Sequence, residues 1–180
     1  MNDAPAIADQ AVEAMLTLAA EHVWRDITLR HVAEKANIPL VDLYRVVNGK
    51  EALLDRLSAR FDAAALATAA TPSDDVHDRL FDAVMARVEA MEPHRTALIA
   101  IYQGSGVLGL APRFPRAARA MLEAAGVDAT PPRLLAMTAV WARVARVWRD
   151  DSGALNRTMA EIDLRLKQMR ARLGKIGAGF

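Results

Sequence analysis

The chain has no cysteine in 180 residues. That excludes disulfides, thiolate metal sites and cysteine nucleophiles. Aromatic residues amount to only 5%, and Val, Ile and Thr never gather into alternating runs, so strands have little to be built from. No apolar run approaches the roughly 20 residues that span a bilayer. No basic segment followed by an apolar stretch opens the chain, so no secretion signal is read and a cytoplasmic location is expected. The four histidines (His22, His31, His77, His94) show no i, i+4 pairing, so no metal site or cofactor is expected. No serine or threonine has a histidine base in a recognisable motif, so the chain does not read as an enzyme.

What remains is helix-forming. Hydrophobic residues make up 53%, much of it alanine, alongside leucine, arginine and glutamate. These are strong helix formers, and the fold class expected is all-α. The net charge of +1 is unevenly spread. Residues 1–50 carry five basic and seven acidic side chains, whereas residues 141–180 carry nine basic and four acidic. A DNA-reading head usually has the opposite balance.

Ile7, Val12, Met15, Leu16, Leu18 and Val23 mark an amphipathic helix over about residues 5–23, with Asp3 before Pro5 as its start signal. Trp24 follows as a core anchor. Thr28 is placed to cap a short helix through Ala36, burying Leu29, Val32, Ala33 and Ala36. Asn37 stands where a tight turn needs a left-handed residue. Pro39 opens a third short helix with Leu43, Val46 and Val47 inward, which completes a helix-turn-helix. Asn48 and Glu51 resemble a capping box for a fourth helix reaching about Ala70, where Ala70-Thr71-Pro72-Ser73 reads as a linker. The expected organisation is a helix-turn-helix domain over 1–50, a connecting helix over 50–70 and a larger helical domain over 71–180. In that second domain helices are expected over about 76–91, 94–103, 116–125, 133–150 and 154–173. Gly104 to Pro115 is expected to be irregular, and Thr130-Pro131-Pro132 to form a turn.

The stretch from Thr28 to Leu54 is similar, without a gap, to the helix-turn-helix of TetR-family regulators. Thr28, Val32-Ala33, Ala36, Ile38, Leu43-Tyr44, Lys50-Glu51 and Leu53-Leu54 match its framework. The resemblance implies a TetR-like fold and a ligand-responsive, DNA-binding transcriptional regulator working as a homodimer. Its implied DNA-binding residues are Thr28, Leu40, Tyr44, Arg45 and Lys50. The family commonly starts its recognition helix with small, polar or glycine residues. Here those positions are Pro39, Leu40, Val41 and Asp42. Leucine and valine offer phosphate nothing, and an aspartate is repelled unless it turns away, as by pairing with Arg45 three residues on. For Tyr44 packing across the small core is the alternative role, and for Lys50 solvation.

Met137 to Leu166, with Trp148-Arg149-Asp150-Asp151-Ser152 at its middle, resembles the end of the ubiquinone-biosynthesis accessory proteins. That resemblance implies an alternative: a lipid- or quinone-binding protein of the same fold that no longer binds DNA. The ligand expected under either reading is small and hydrophobic, an isoprenoid or quinone under the second. Its expected contacts are His94, Tyr102, Phe114, Met137, Trp141 and Trp148, although large apolar side chains at helical spacing are core residues first.

Two further patterns have plainer readings. Gly104-Ser105-Gly106-Val107-Leu108-Gly109 fits G-x-G-x-x-G, but Pro112 and Pro115 interrupt the helix a dinucleotide site would require; a flexible loop beside the ligand cavity is expected. Arg165, Lys167, Arg170, Arg172 and Lys175 lie without an acidic residue among them, interleaved with Leu164, Leu166, Met169, Leu173, Ile176 and Phe180. This suits either peripheral membrane contact or a dimer-bundle helix with solvated cations.

Overall fold

The computed structural model describes residues 4–151 and 153–180. Asp3 and Ser152, both named above, lie outside the described residues. The described chain forms nine α-helices and contains no strand: α1 (Ala4–Glu21), α2 (Leu29–Lys35), α3 (Leu40–Val46), α4 (Lys50–Ala67), α5 (Val76–Met91), α6 (Arg95–Leu110), α7 (Phe114–Ala124), α8 (Pro131–Asp150) and α9 (Asn156–Lys175). Short 3₁₀ turns join several of them. The all-α expectation holds.

The chain divides into two compact units. One runs to Ala59 and takes in His94–Leu110; the other holds Arg60–Pro93 and Ala111–Phe180. The division falls inside α4, and α6 belongs to the first unit although 34 residues of the second precede it in sequence.

In the first unit α1 packs against α2, α3 and α6. Val12 and Met15 of α1, Val32 of α2, Leu43 of α3 and Leu53 of α4 are fully buried. Trp24 is buried in the 3₁₀ turn after α1, whereas Val23, expected on the first helix's apolar face, lies beyond the helix end and is 64% exposed. In the second unit α7 packs on α8, α8 on α9, and α5 on both α7 and α9. Alanines make this close approach cheap: Ala117 and Ala118 of α7 are completely buried beside Met121 and Leu122. Leu80, Val84, Met137, Val144, Ile162 and Leu166 fill the remainder.

Several boundaries differ from expectation for physical reasons. Pro131 and Pro132 do not form a separate turn; they occupy the first turn of α8, where a proline's missing N–H costs nothing. Residues 104–110, expected as a loop, continue α6 to Leu110, with the helix broken by Gly106 at φ 67° and ψ 177°. Ala97–Tyr102 is helix, as expected over 94–103, so the glycine pattern follows a helix and not the strand a phosphate loop requires. Helix α4 begins at Lys50, so Gly49 rather than Asn48 precedes it.

Candidate nucleic-acid interface

The turn between α2 and α3 is built from local chemistry. The Thr28 hydroxyl accepts the His31 backbone N–H at 3.3 Å, and His31 Nδ1 accepts the Thr28 N–H at 3.3 Å. This is a reciprocal cap in which an imidazole takes the role usually filled by glutamate or glutamine. Asn37 takes φ 52°, the left-handed conformation that lets α2 end, and the Ile38 N–H then donates to the Ala33 carbonyl at 2.9 Å. Gln10 of α1 donates to the Ala36 carbonyl at 2.8 Å, tying the turn to the long helix.

Helix α3 buries Leu43 completely and turns its other side to solvent. Leu40 is 43% exposed, Val41 59% and Tyr44 65%. Tyr44 therefore does not pack across the core. Arg45 and Asp42 pair with each other at 3.0 Å, so the aspartate has turned along its own helix.

Lys50 is placed differently from a phosphate-facing cation. Its Nζ donates to the Trp24 carbonyl at 3.0 Å and lies 4.4 Å from the centroid of the Trp24 ring. Burial pushes its pKa below the ordinary lysine value. Other cations of this unit are engaged as well: Arg30 with Glu34 at 3.2 Å, Lys35 with Glu21 at 3.7 Å and Arg56 with Asp9 at 2.8 Å. Arg25 donates to the Gly104 carbonyl at 3.1 Å. Of the residues implied by resemblance, Leu40, Tyr44 and Arg45 share one exposed face, while Thr28 serves as a helix cap and Lys50 is turned onto Trp24.

The residues expected to contact a ligand fall in both units. His94 and Tyr102 belong to the first. Phe114, Met137, Trp141 and Trp148 belong to the second, where Met137, Trp141 and Trp148 are buried along one side of α8. The Trp148 indole N–H donates to Glu92 at 2.8 Å. Trp141 faces a group that composition and spacing did not single out. Arg87 of α5 is buried with its guanidinium 5.0 Å from the Trp141 ring and 5.7 Å from that of Phe61. It donates to the equally buried Asp62 of α4, whose second oxygen faces Arg116 at 3.4 Å. Burial pulls the Arg87 pKa down to about 10, and the adjacent Asp62 carboxylate limits the fall.

The basic end of the chain is partly neutralised by the turn before it. Arg165 pairs with Glu161 at 2.7 Å, Lys167 with Asp163 at 2.8 Å, and Arg170 reaches Asp75, the cap of α5, at 4.0 Å. No helix of the described residues is long and apolar enough to cross a membrane.

No family model matches the sequence, and no curated protein matches it. Solved structures do match. A TetR transcriptional regulator from Rhodococcus sp. RHA1 superimposes with a TM-score of 0.72 at 18% identity, over 94% of this chain and 98% of that one. The dihydroxyacetone kinase operon activator DhaS matches with a TM-score of 0.60 at 10% identity, over 94% and 97%. The fatty acid degradation regulator FadR from Bacillus halodurans matches with 0.54 at 15% identity, over 91% and 94%. The chain therefore has the TetR-like fold.

Proposed function

We propose that this protein is a TetR-type transcriptional regulator that binds DNA as a homodimer through α3 and responds to a small hydrophobic ligand held in its second helical unit. The observation that carries the reading is α3 itself. A capped α2 and a left-handed turn at Asn37 precede it, and its solvent face offers Leu40, Val41, Tyr44 and Arg45 together. A helix-turn-helix uses such a face against base edges. Fold likeness to three regulators over more than nine-tenths of the chain supports the reading. The second unit's Met137, Trp141 and Trp148 suit an apolar ligand, with the Arg87–Asp62 pair as a polar anchor.

One observation favours the second reading, a lipid- or quinone-binding protein without DNA contact. Cations on α2, α3 and α4 that could meet phosphate already have partners within the protein. The two readings separate in one titration. Fluorescence anisotropy with labelled genomic fragments at about 50 mM salt should give non-specific binding in the micromolar range or tighter if the protein reads DNA. A folded protein that binds no duplex under those conditions is not a DNA-binding regulator.

A further inference from the structure

We propose that α3 recognises its operator chiefly by contacting thymine methyl groups in the major groove, through Leu40, Val41 and Tyr44. The proposal rests on the DNA-binding reading above and specifies what that face reads.

Residues 40, 41, 44 and 45 fall on one side of a helix with 3.6 residues per turn. Three of them are among the large hydrophobic residues most open to solvent, at 43%, 59% and 65% exposure, while Leu43 beneath them is fully buried. The fold gains nothing from leaving these side chains in water. Leucine and valine carry no hydrogen-bonding group, so they cannot distinguish the donor and acceptor patterns of guanine, adenine or cytosine. The major groove offers an apolar contact only at the C5-methyl of thymine.

The two polar members of the face pair with each other in the unbound protein. Arg45 alone would seek the O6 and N7 of guanine, and Asp42 alone would accept from the amino group of cytosine. In the unbound protein they lie 3.0 Å apart, in a pair open to water. Exposed ion pairs on α2 and α3 supply cations. The side chains of Arg30 and Arg45 are 75% and 73% exposed. Ion pairs so open to water hold their partners weakly, so these guanidiniums turn to phosphate at little cost. An apolar centre with exchangeable cations beside it predicts recognition with strong methyl dependence and shallow salt dependence.

The test begins by selecting bound duplexes from a random library at about 50 mM salt. Each thymine of the selected site is then replaced by deoxyuridine, which lacks only the methyl group, and affinities are compared by anisotropy. Each contacted methyl should be worth about fourfold, the ~0.8 kcal/mol of one methyl-sized group at 1.4 kcal/mol per tenfold. Val41→Ala and Leu40→Ala should each abolish the deoxyuridine effect at particular positions while leaving it at others. Because both residues are exposed, circular dichroism and the unfolding midpoint should stay near those of the parent. Binding that is indifferent to deoxyuridine at every position overturns this inference and leaves the regulator reading standing. Deoxyuridine sensitivity that persists unchanged in both variants also overturns it. Absence of duplex binding at low salt, as a protein-docking face would give, overturns the regulator reading and this inference with it.

Discussion

Asp62 and Arg87 form a buried ion pair in the second unit, with Arg116 near the second carboxylate oxygen. Removing one partner strands a charge in the interior. Asp62→Ala should therefore cost about 3–5 kcal/mol in urea unfolding, whereas replacing both, as Asp62→Leu with Arg87→Met, should recover most of that loss. A double variant as unstable as the single one would mean that the pair contributes more than mutual neutralisation. Lys50 gives a smaller effect. Its charged hydrogen bond to the Trp24 carbonyl and its place over the indole ring are lost together in Lys50→Met. A loss of about 1–2 kcal/mol is expected, measured as a fall in Tm. Asp42 bears on function. Asp42→Thr removes a carboxylate from the face proposed to meet DNA and releases Arg45 from its 3.0 Å pair. Non-specific DNA affinity should rise measurably at low salt, since one negative charge goes and one cation is freed.

Helix α6 shows how an element is placed by contacts that its own pattern does not contain. Gly104 lies against Trp24, and a Cβ there would stand 2.6 Å from Trp24 Cβ and 2.7 Å from Cδ1. In an isolated helix, alanine for glycine would add about 1 kcal/mol of stability. Here the overpacking term opposes it, because Trp24 is buried and held by Lys50 and cannot retreat. Gly104→Ala should destabilise by a net ~1–2 kcal/mol in thermal unfolding, the reverse of what propensity alone predicts. Between α8 and α9 the corresponding tie is Glu161. It accepts from Arg143 of α8 at 2.8 Å and Arg165 of α9 at 2.7 Å. Burial raises its pKa, but the two guanidinium hydrogen bonds and their charges outweigh it and hold the group below 4.5. A depressed carboxylate contributes stability that is present above its unfolded pKa and lost as pH falls through its folded one. Glu161→Gln should therefore flatten the pH dependence of the urea midpoint below about pH 4.5 and lower the midpoint at pH 7. A midpoint that falls equally steeply with acid in both proteins would remove Glu161 from the account.

At the scale of the whole molecule the regulator reading requires two α3 helices set about one DNA turn apart, hence a dimer. Helices α8 and α9 are the proposed contact. Leu135 of α8 remains 74% exposed and Leu164 of α9 46%, while Met137, Trp141, Ile162 and Leu166 of the same helices are buried. Sedimentation at micromolar concentration should give twice the chain mass, and Leu135→Arg combined with Leu164→Arg should shift it toward the single chain. Parent protein that sediments only as a monomer would leave α3 without the spacing that an operator of two half-sites needs.

What the sequence determined by itself is what depends on neighbours a few residues apart. Helical periodicity marked each amphipathic helix, a threonine before an apolar run became the cap of α2, and Asn37 and Gly126 took positive φ at helix ends, as a short polar side chain or an absent Cβ permits. The exposure of Tyr44 was not legible, because a tyrosine can equally pack across a small core, and only the packing of α3 left it 65% open to solvent. The tertiary structure decided whatever depends on groups far apart in the chain. Lys50 meets Trp24 across 26 residues, Arg87 meets Asp62 across 25, and Gly104 lets α6 lie against a tryptophan about 80 residues earlier. Asp151, which reads as a loop acid, is buried and caps α9 by accepting the Thr158 N–H at 3.0 Å and its hydroxyl at 2.8 Å. A charge or a glycine carries no local sign of its partner. Its role follows from the free energy of burial, which exists only once the chain has brought the two groups together.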